Sequence, residues 1–317
     1  LNPNDAPIFT PDDTDFREWV ADSDPQTRVV SPSVWKEQLV RSTMEADRIF
    51  GARLPWRKTH DQIRFRPEEV SLWQGINGHG KSQMLNQVAL ALAAQDEPVC
   101  LASFEMKPLT NLKRMLRQVA RNGSPSAQMA QRMLAWMEGR FWFYDQAGMV
   151  RPEMIYKVVG YAAARLGCKH VVIDSLMKCV RGEEDKDGQK NFLDALTALA
   201  RDNKIHVHLV HHVRKGENED KAPGKFDARG SAAIIDQVDN ILTVWRNKPK
   251  ERIAEKESRN GGQVSDDTDS KPDTYLICDK QRNGEWEGSI GLWFHQDSMQ
   301  FTPDKHRRPM ELVGELA

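Results

Sequence analysis

Short apolar runs and longer amphipathic stretches alternate along most of this chain. Glu69 to Gln74 reads as a strand, and Ser82 to Ala94 carries Met84, Leu85, Val88, Leu90, Ala91 and Leu92 at helical spacing. A second apolar run, Pro98 to Phe104, predicts another buried strand ending at Glu105. Helices follow over 110–121 and 126–139, then a strand over 140–144 and a helix over 150–166. His170 to Ile173 predicts a strand closed by Asp174, 189–203 a helix, and Ile205 to Val210 a further strand. Strands that alternate with helices, and that are apolar on both faces, predict an α/β fold with a mainly parallel sheet between helical layers. Ligands of such sheets sit outside the carboxyl ends of the strands.

The two ends of the chain follow a different pattern. Residues 1–30 are polar and lack sustained periodicity, which predicts a linker or surface coil. Ser31 as cap, Pro32 at the first helical position and apolar residues at Val34, Leu39, Val40, Met44 and Ile49 predict an amphipathic helix. Such a helix packs in cis or docks on another copy. The stretch 51–67 is irregular and basic. Beyond 210, the pattern predicts a helix over 233–239, a strand over 240–245 and antiparallel strands over 275–279 and 289–294. Residues 248–271, polar and aperiodic, are expected to form a mobile surface loop. The expected organisation is an N-terminal linker and docking helix over 1–53, a main domain over 54–305 and a tail over 306–317.

The chemistry is concentrated between the first main strand and its helix. Gly75-Ile76-Asn77-Gly78-His79-Gly80-Lys81-Ser82 fits the P-loop pattern G-x-x-x-x-G-K-[ST] in its required strand–turn–helix setting. Backbone N–H groups of Gly75, Asn77, Gly78, His79 and Gly80 and of the helix N-terminus would cradle phosphates. Lys81 would reach the β- and γ-phosphates of a nucleotide, and the Ser82 hydroxyl would hold Mg²⁺. Asp174, directly after an apolar strand, is placed to support that metal, although an Asp there also caps helices. Glu105, at the end of the strand expected to neighbour the P-loop strand, is a candidate to orient and deprotonate attacking water. Of His211 and His212, strand alternation should turn one toward the nucleotide, although by pattern alone a His at a strand end more often serves packing or the surface.

Three further features are weaker. The loop from Arg214 and Lys215 through Lys221 to Lys225, followed by Arg229-Gly230-Ser231, offers cations for a phosphodiester backbone. The acids among them suit a solvated loop equally well. Lys280 and Arg282 precede an Asn-Gly turn, either as solvated charges or as groups that stabilise transition-state charge.

Composition changes this picture little. The chain has 317 residues, 39% hydrophobic and 29% charged, with a formal net charge of −1. No global basic field draws in nucleic acid, so any such contact comes from a local patch. Four scattered cysteines form no C-x-x-C pair, which argues against a zinc module and fits a reducing compartment. No apolar run reaches membrane-spanning length, so no membrane partner is expected. The chain opens on Leu rather than Met, as expected of a fragment.

Taken in order, these motifs resemble the ring-forming replicative helicases of the DnaB class, most closely the helicase half of phage primase–helicases and Twinkle. The anchors are the Gly75–Ser82 loop, Ser-Phe-Glu105-Met, Val-Val-Ile-Asp174-Ser-Leu, His211-His212-Val-Arg214, Asp-Ala-Arg229-Gly-Ser231-Ala-Ala-Ile and Lys280-Gln-Arg282-Asn-Gly. The resemblance implies a RecA-like P-loop NTPase core, usually a hexameric ring around single-stranded DNA, using ATP or another NTP with Mg²⁺. It implies Glu105 as base, Lys81 and Ser82 on phosphate and Mg²⁺, Asp174 as metal support and His212 as γ-phosphate sensor. Lys280 and Arg282 match a pair delivered to the adjacent subunit, Arg282 as arginine finger. Arg246 matches an arginine that stacks on the base, with His295 as its partner. The 214–225 and 229–231 segments match channel loops, and 31–50 matches the segment that docks on a neighbour. It further implies 5′-to-3′ unwinding, a primase domain or protein as an associate, and a cytoplasmic setting in a bacterium or phage-infected cell. This chain departs from the pattern at Ala232, where the family has Gly, and at Ile235-Asp236, where relatives have a polar pair. Those departures keep a second reading open: a RecA-like nucleotide-gated DNA-binding or loading ATPase that does not unwind processively.

Overall fold

A computed structural model describes residues 31–44, 50–182, 184–213, 219–224, 232–259 and 262–316. The chain divides into two compact units, 1–49 and 50–317. In the first, Ser31 caps a 3-10 turn over Pro32–Trp35 that leads into α1, Lys36–Met44. In the second unit, a small antiparallel ladder pairs β1, Ala52–Arg53, with β2, Arg64–Phe65. The main sequence then runs β3 (Val70–Gly75), α2 (Lys81–Ala93), β4 (Val99–Ser103), α3 (Pro108–Ala120), α4 (Ala127–Met137) and β5 (Phe141–Tyr144). It continues through α5 (Pro152–Ala164), β6 (His170–Asp174), α6 (Lys186–Asn203), β7 (His206–His212), α7 (Ala232–Gln237) and β8 (Asn240–Arg246). The final elements are α8 (Lys248–Arg259), α9 (Asp266–Ser270), β9 (Thr274–Gln281), β10 (Gly288–His295) and β11 (Gln300–Thr302).

Nine strands form one sheet in the order β11-β10-β9-β8-β3-β7-β6-β4-β5. The pairs from β8 to β5 are parallel and those from β8 to β11 antiparallel. The phosphate-loop strand β3 lies between β7 and β8 with both faces buried, which explains its unbroken Val-Ser-Leu-Trp run. Helix α2 is buried nearly all round, with Met84, Leu85, Val88 and Leu92 in the core. Because strands begin at one edge of the core and helices return across it, the carboxyl ends of β3, β4, β6 and β7 converge on one rim.

The structure corrects two expectations and adds to two others. The strand that leads to Glu105, β4, pairs with β5 and β6 and not with the P-loop strand; β7 and β8 flank β3 instead. Chain order says nothing about which crossover skips a neighbour. Residues 248–271 are not a mobile loop: α8 and α9 occupy most of it. Their stability is polar, so an apolar stripe never marked them. Asn247 Oδ1 accepts from Lys250 N at 3.2 Å, and Lys248 pairs with Glu251 at 3.0 Å within the first turn. Ser265 caps α9 and is itself held by Glu257, at 2.9 Å. The irregular 51–67 stretch contributes Leu54, Trp56, Ile63 and Phe65 to the core. Finally, 306–316 packs onto the domain, burying Val313 and Leu316, and β11 is a strand that composition did not announce.

A second polar feature lies at the opposite rim of the sheet. His170, His206 and His208 are all buried, with ring centroids 4.5–5.6 Å apart. Trp73 Nε1–H donates to His208 Nδ1 at 3.1 Å, so neutral His208 carries its proton on Nε2 and donates to His170 Nδ1, also at 3.1 Å. His206 donates from Nδ1 to Arg66 O at 2.6 Å and accepts the Ser71 hydroxyl at Nε2, 2.8 Å away. Burial holds His206 at about 4 and His170 and His208 well below their ordinary value. Glu97, Arg66 and Asp239 are the charged groups around them. The unfolded chain therefore binds more protons than the folded one below the ordinary histidine pKa of about 6.5. Stability should be fully present above that pH and fall as pH drops from about 6.5 toward 4, by up to about 1.4 kcal/mol per pH unit for each histidine. Urea midpoints measured at pH 7.5, 6 and 5 check this; identical midpoints would refute it.

Candidate active site

The phosphate loop is shaped by contacts that exclude side chains at two positions. A Cβ on Gly75 would meet the Val244 carbonyl oxygen at 2.4 Å. Gly80, at φ 91°, occupies the left-handed region at the cap of α2 and lies against the Phe301 ring. Asn77 and Gly78 line the cleft above the loop. Lys81 is buried, and its ammonium donates to the Gly75 and Ile76 carbonyls at 2.8 and 3.1 Å. That places its charge over the turn, where a phosphate would replace carbonyl oxygens as acceptor.

At the head of α2, Ser82 Oγ donates to Asp174 Oδ2 at 2.6 Å. The other carboxylate oxygen, Oδ1, is buried with no hydrogen-bond partner. Burial raises the Asp174 pKa and the Ser82 bond opposes that rise. A hydroxyl beside a buried, unpartnered carboxylate oxygen is a hard oxygen donor set, and it fits Mg²⁺ shared with substrate phosphates. Among the described residues no cluster of three or more His, Cys, Asp or Glu could hold a metal by itself, so such an ion would depend on the nucleotide for the rest of its shell.

Glu105 enters the same cleft two residues beyond β4. Its Oε1 accepts from Ser175 Oγ and from His212 Nε2, each at 3.0 Å. The His212 bond is the main reason the carboxyl is held at about 2, against the upward pull of burial. His212 closes β7 and stands opposite Gly75 in register, while its neighbour His211 is fully buried. The alternation expected of a strand thus assigns His212 to the nucleotide side. His212 Nδ1 is buried without a hydrogen-bond partner.

The remaining candidates divide. His79 Nδ1 accepts the Arg246 backbone N–H at 3.1 Å, and burial pushes the ring down to about 4. It ties the loop to β8 as a neutral imidazole, a role that the motif alone does not announce. Arg246 lines the cleft and is ion-paired to Glu251. His295 is not brought to the cleft: its Nδ1 bonds Ser298 Oγ at 2.8 Å, and the neighbours Phe294 and Gln296 line the cleft instead. Alternation along β10 explains the swap. Lys280 and Arg282 lie at the far side of β9, where they cap α7. Lys280 Nζ donates to the Ile235 and Val238 carbonyls at 2.7 and 2.8 Å. Arg282 donates to Asp236 O at 2.8 Å and pairs with Asp239 at 3.2 Å. Neither lines the cleft of its own chain. Of the proposed DNA contacts, Lys221 is exposed; Arg214, Lys215, Lys225, Arg229, Gly230 and Ser231 lie outside the described residues. Arg114 and Arg307, both in the cleft wall, were not expected from the sequence. Neither stands in a motif that would have marked it.

A phosphate loop ending in Ser82 and a glutamate–histidine pair thus line one cleft of ≈ 760 Å³, with the buried Asp174 bonded to Ser82. Residues 36–218, more than half of the chain, match the AAA domain family AAA_25. The chain belongs to this AAA family. Among curated proteins it is similar to the DNA helicase/primase of Enterobacteria phage T3, at 26% identity over 58% of this chain and 36% of that protein. The chloroplastic/mitochondrial Twinkle homolog of Arabidopsis thaliana is 22% identical, over 63% of this chain and 31% of its own length. The chain therefore spans about a third of these relatives. Among solved structures, an ATPase domain aligns with TM-score 0.70 and 19% identity, covering 84% of this chain and 98% of that one. A DnaB-like replicative helicase, solved in a study of its interactions with primase, aligns at 0.66 and 18%, covering 86% and 67%. This AAA domain thus has the RecA-like fold of the DnaB-class helicase domain. No helix among the described residues is long and apolar enough to cross a membrane.

Proposed function

We propose that this AAA domain is the motor of a replicative DNA helicase, hydrolysing ATP or another NTP to move along single-stranded DNA. The observation that carries the reading is the Glu105 carboxylate, held by His212 and Ser175 in the phosphate-loop cleft. Lys81 binds the β- and γ-phosphates. Ser82 and Asp174 would hold Mg²⁺, which would neutralise charge on the phosphate oxygens. Glu105 aligns the attacking water and accepts its proton. While bonded to His212 that carboxylate is a weak base. A γ-phosphate that draws His212 away removes the largest influence lowering its pKa, so the base strengthens when substrate is in place.

The reading extends to a ring, hexameric in its usual form, with translocation 5′ to 3′, a primase as associate and a cytoplasmic setting. Lys280 and Arg282, turned away from their own cleft, suit delivery to a neighbouring subunit, with Arg282 as finger. Arg214, Lys215, Lys221, Lys225, Arg229, Gly230 and Ser231 would face the DNA. One observation favours the second reading, a nucleotide-gated DNA-binding or loading ATPase: Asp236 is exposed on α7, close behind the proposed DNA segment, and repels phosphate there.

NTP hydrolysis per chain, measured against protein concentration with and without single-stranded DNA, tests the motor. The expected result is a steep rise with concentration and stimulation by DNA. A flat rate indifferent to DNA would overturn the shared-site account of Arg282 and the channel loops. Strand separation on a forked duplex then distinguishes a helicase from a loader.

A further inference from the structure

The cleft continues well past the phosphate loop. At its far end stand Arg246, which closes β8, Thr274, which opens β9, Phe294 of β10 and Arg307 of the C-terminal segment. A nucleotide whose phosphates meet Lys81 and Ser82 must lay its base toward this end. The side wall there comes from the helical excursion between β8 and β9, whose Glu251 also lines the cleft.

Glu251 grips Arg246 by one edge. Its Oε1 accepts from the Arg246 Nε–H, and its Oε2 accepts from Lys248 Nζ at 3.0 Å. The excursion that carries it is pinned at both feet. Asn247 Nδ2 donates to Pro272 O at 3.0 Å, and Lys250, buried at 5% exposure, pairs with Asp273 at 2.5 Å. Asp273 also receives Arg307 at 3.1 Å, and Arg307 pairs with Asp269 at 2.8 Å. Glu251 therefore acts from a fixed platform. Arg246 is nearly half exposed, so the pair adds little to fold stability. Its consequence is orientation: a carboxylate on the Nε edge sets the guanidinium plane and leaves its flat face free for a π-system.

We propose that Glu251 is the positioning residue for Arg246 against the nucleobase, and that the α8–α9 excursion supplies the base-recognising wall of the site. This rests on the reading that nucleotide phosphates occupy the Gly75–Ser82 loop. The ligand class is a nucleoside triphosphate recognised through its aromatic ring as well as its phosphates.

The test is calorimetric titration of the full chain with ATP and with inorganic tripolyphosphate, both with Mg²⁺. Glu251→Ala should weaken ATP about fivefold to tenfold and leave tripolyphosphate within about twofold. Glu251→Gln keeps an acceptor for the Nε–H and should bind ATP like the parent. Arg246→Ala should show the same ATP-specific loss, and the double variant no further loss, since the two act as one unit. Unchanged ATP binding in Glu251→Ala, equal weakening of both ligands, a Glu251→Gln loss as large as that of Ala, or additive losses would each overturn the proposal. A parent that binds both ligands while Glu251→Ala changes neither refutes this inference and leaves the phosphate-loop reading standing. A parent that binds neither refutes both.

Discussion

Glu105→Gln should lower single-turnover NTP hydrolysis by about 10²- to 10⁴-fold while leaving nucleotide affinity within a few-fold of the parent. The substitution is nearly isosteric, and the amide oxygen still accepts from Ser175 and His212, which now meet Oε1 at 3.0 Å. What disappears is the negative charge that aligns a water and takes its proton. Phosphate binding rests on other groups, chiefly Lys81 and the loop N–H groups, so binding and chemistry should separate. Quenched-flow hydrolysis alongside fluorescent-nucleotide titration measures both. A variant that hydrolyses within tenfold of the parent would show that another group positions the water. His212 would then hold its partner for packing alone.

Trp56→Ala should cost about 3–5 kcal/mol of stability, the range for truncating a fully buried aromatic residue. Trp56 has no exposed surface, and its Nε1–H donates to the Phe301 carbonyl at 2.7 Å. Truncation therefore opens a cavity and removes a hydrogen bond to β11 at once. Gln87 Nε2 also reaches that carbonyl, at 2.9 Å, so the acceptor keeps one partner and the penalty stays within the cavity range. Thermal unfolding should move down by on the order of 10 °C. A shift below about 2 °C would mean that the 51–67 segment is an appendage rather than core.

The parallel part of the fold was legible because its strands are buried on both faces and its helices carry apolar stripes. Val171-Val172-Ile173 and Val99-Cys100-Leu101-Ala102 leave no other reading. Lateral order was not legible, because which strands pair depends on the path of each crossover; hence the misplacement of β4. The excursion over 248–271 escaped for a different reason. Its helices are held by Lys248, Glu251, Glu257 and Ser265 through charge and capping, and its largest apolar residue, Ile253, is exposed. Within the site, Lys81 and Ser82 come together from one contiguous motif, and Asp174 meets Ser82 from the end of β6. Glu105 and His212 meet because each stands at or just beyond the carboxyl end of a strand, a position that the apolar runs mark. Arg307 and Glu251 reach the cleft from distant segments with no spacing rule to announce them. His295 stands between Phe294 and Gln296, which line the cleft, and the two-residue period of a strand makes that one-position difference decisive for which side chains reach it.

The last stretch of the chain carries a practical warning. Gln300 clasps Met310 twice, donating from Nε2 to its carbonyl at 2.9 Å and accepting its N–H at 2.7 Å through Oε1. Arg307 is thereby delivered to the cleft, and Val313 and Leu316 are tucked against the α4 side of the core. Proteolytic nicking between Thr302 and Met310 would free this clasp from its covalent tether while leaving every residue of the phosphate loop in place. A clipped sample would look intact by its signature motif and still bind nucleotide poorly. Mass spectrometry of the C-terminal peptide is thus part of judging any weak-binding preparation, and purification handles belong at the other end of the chain.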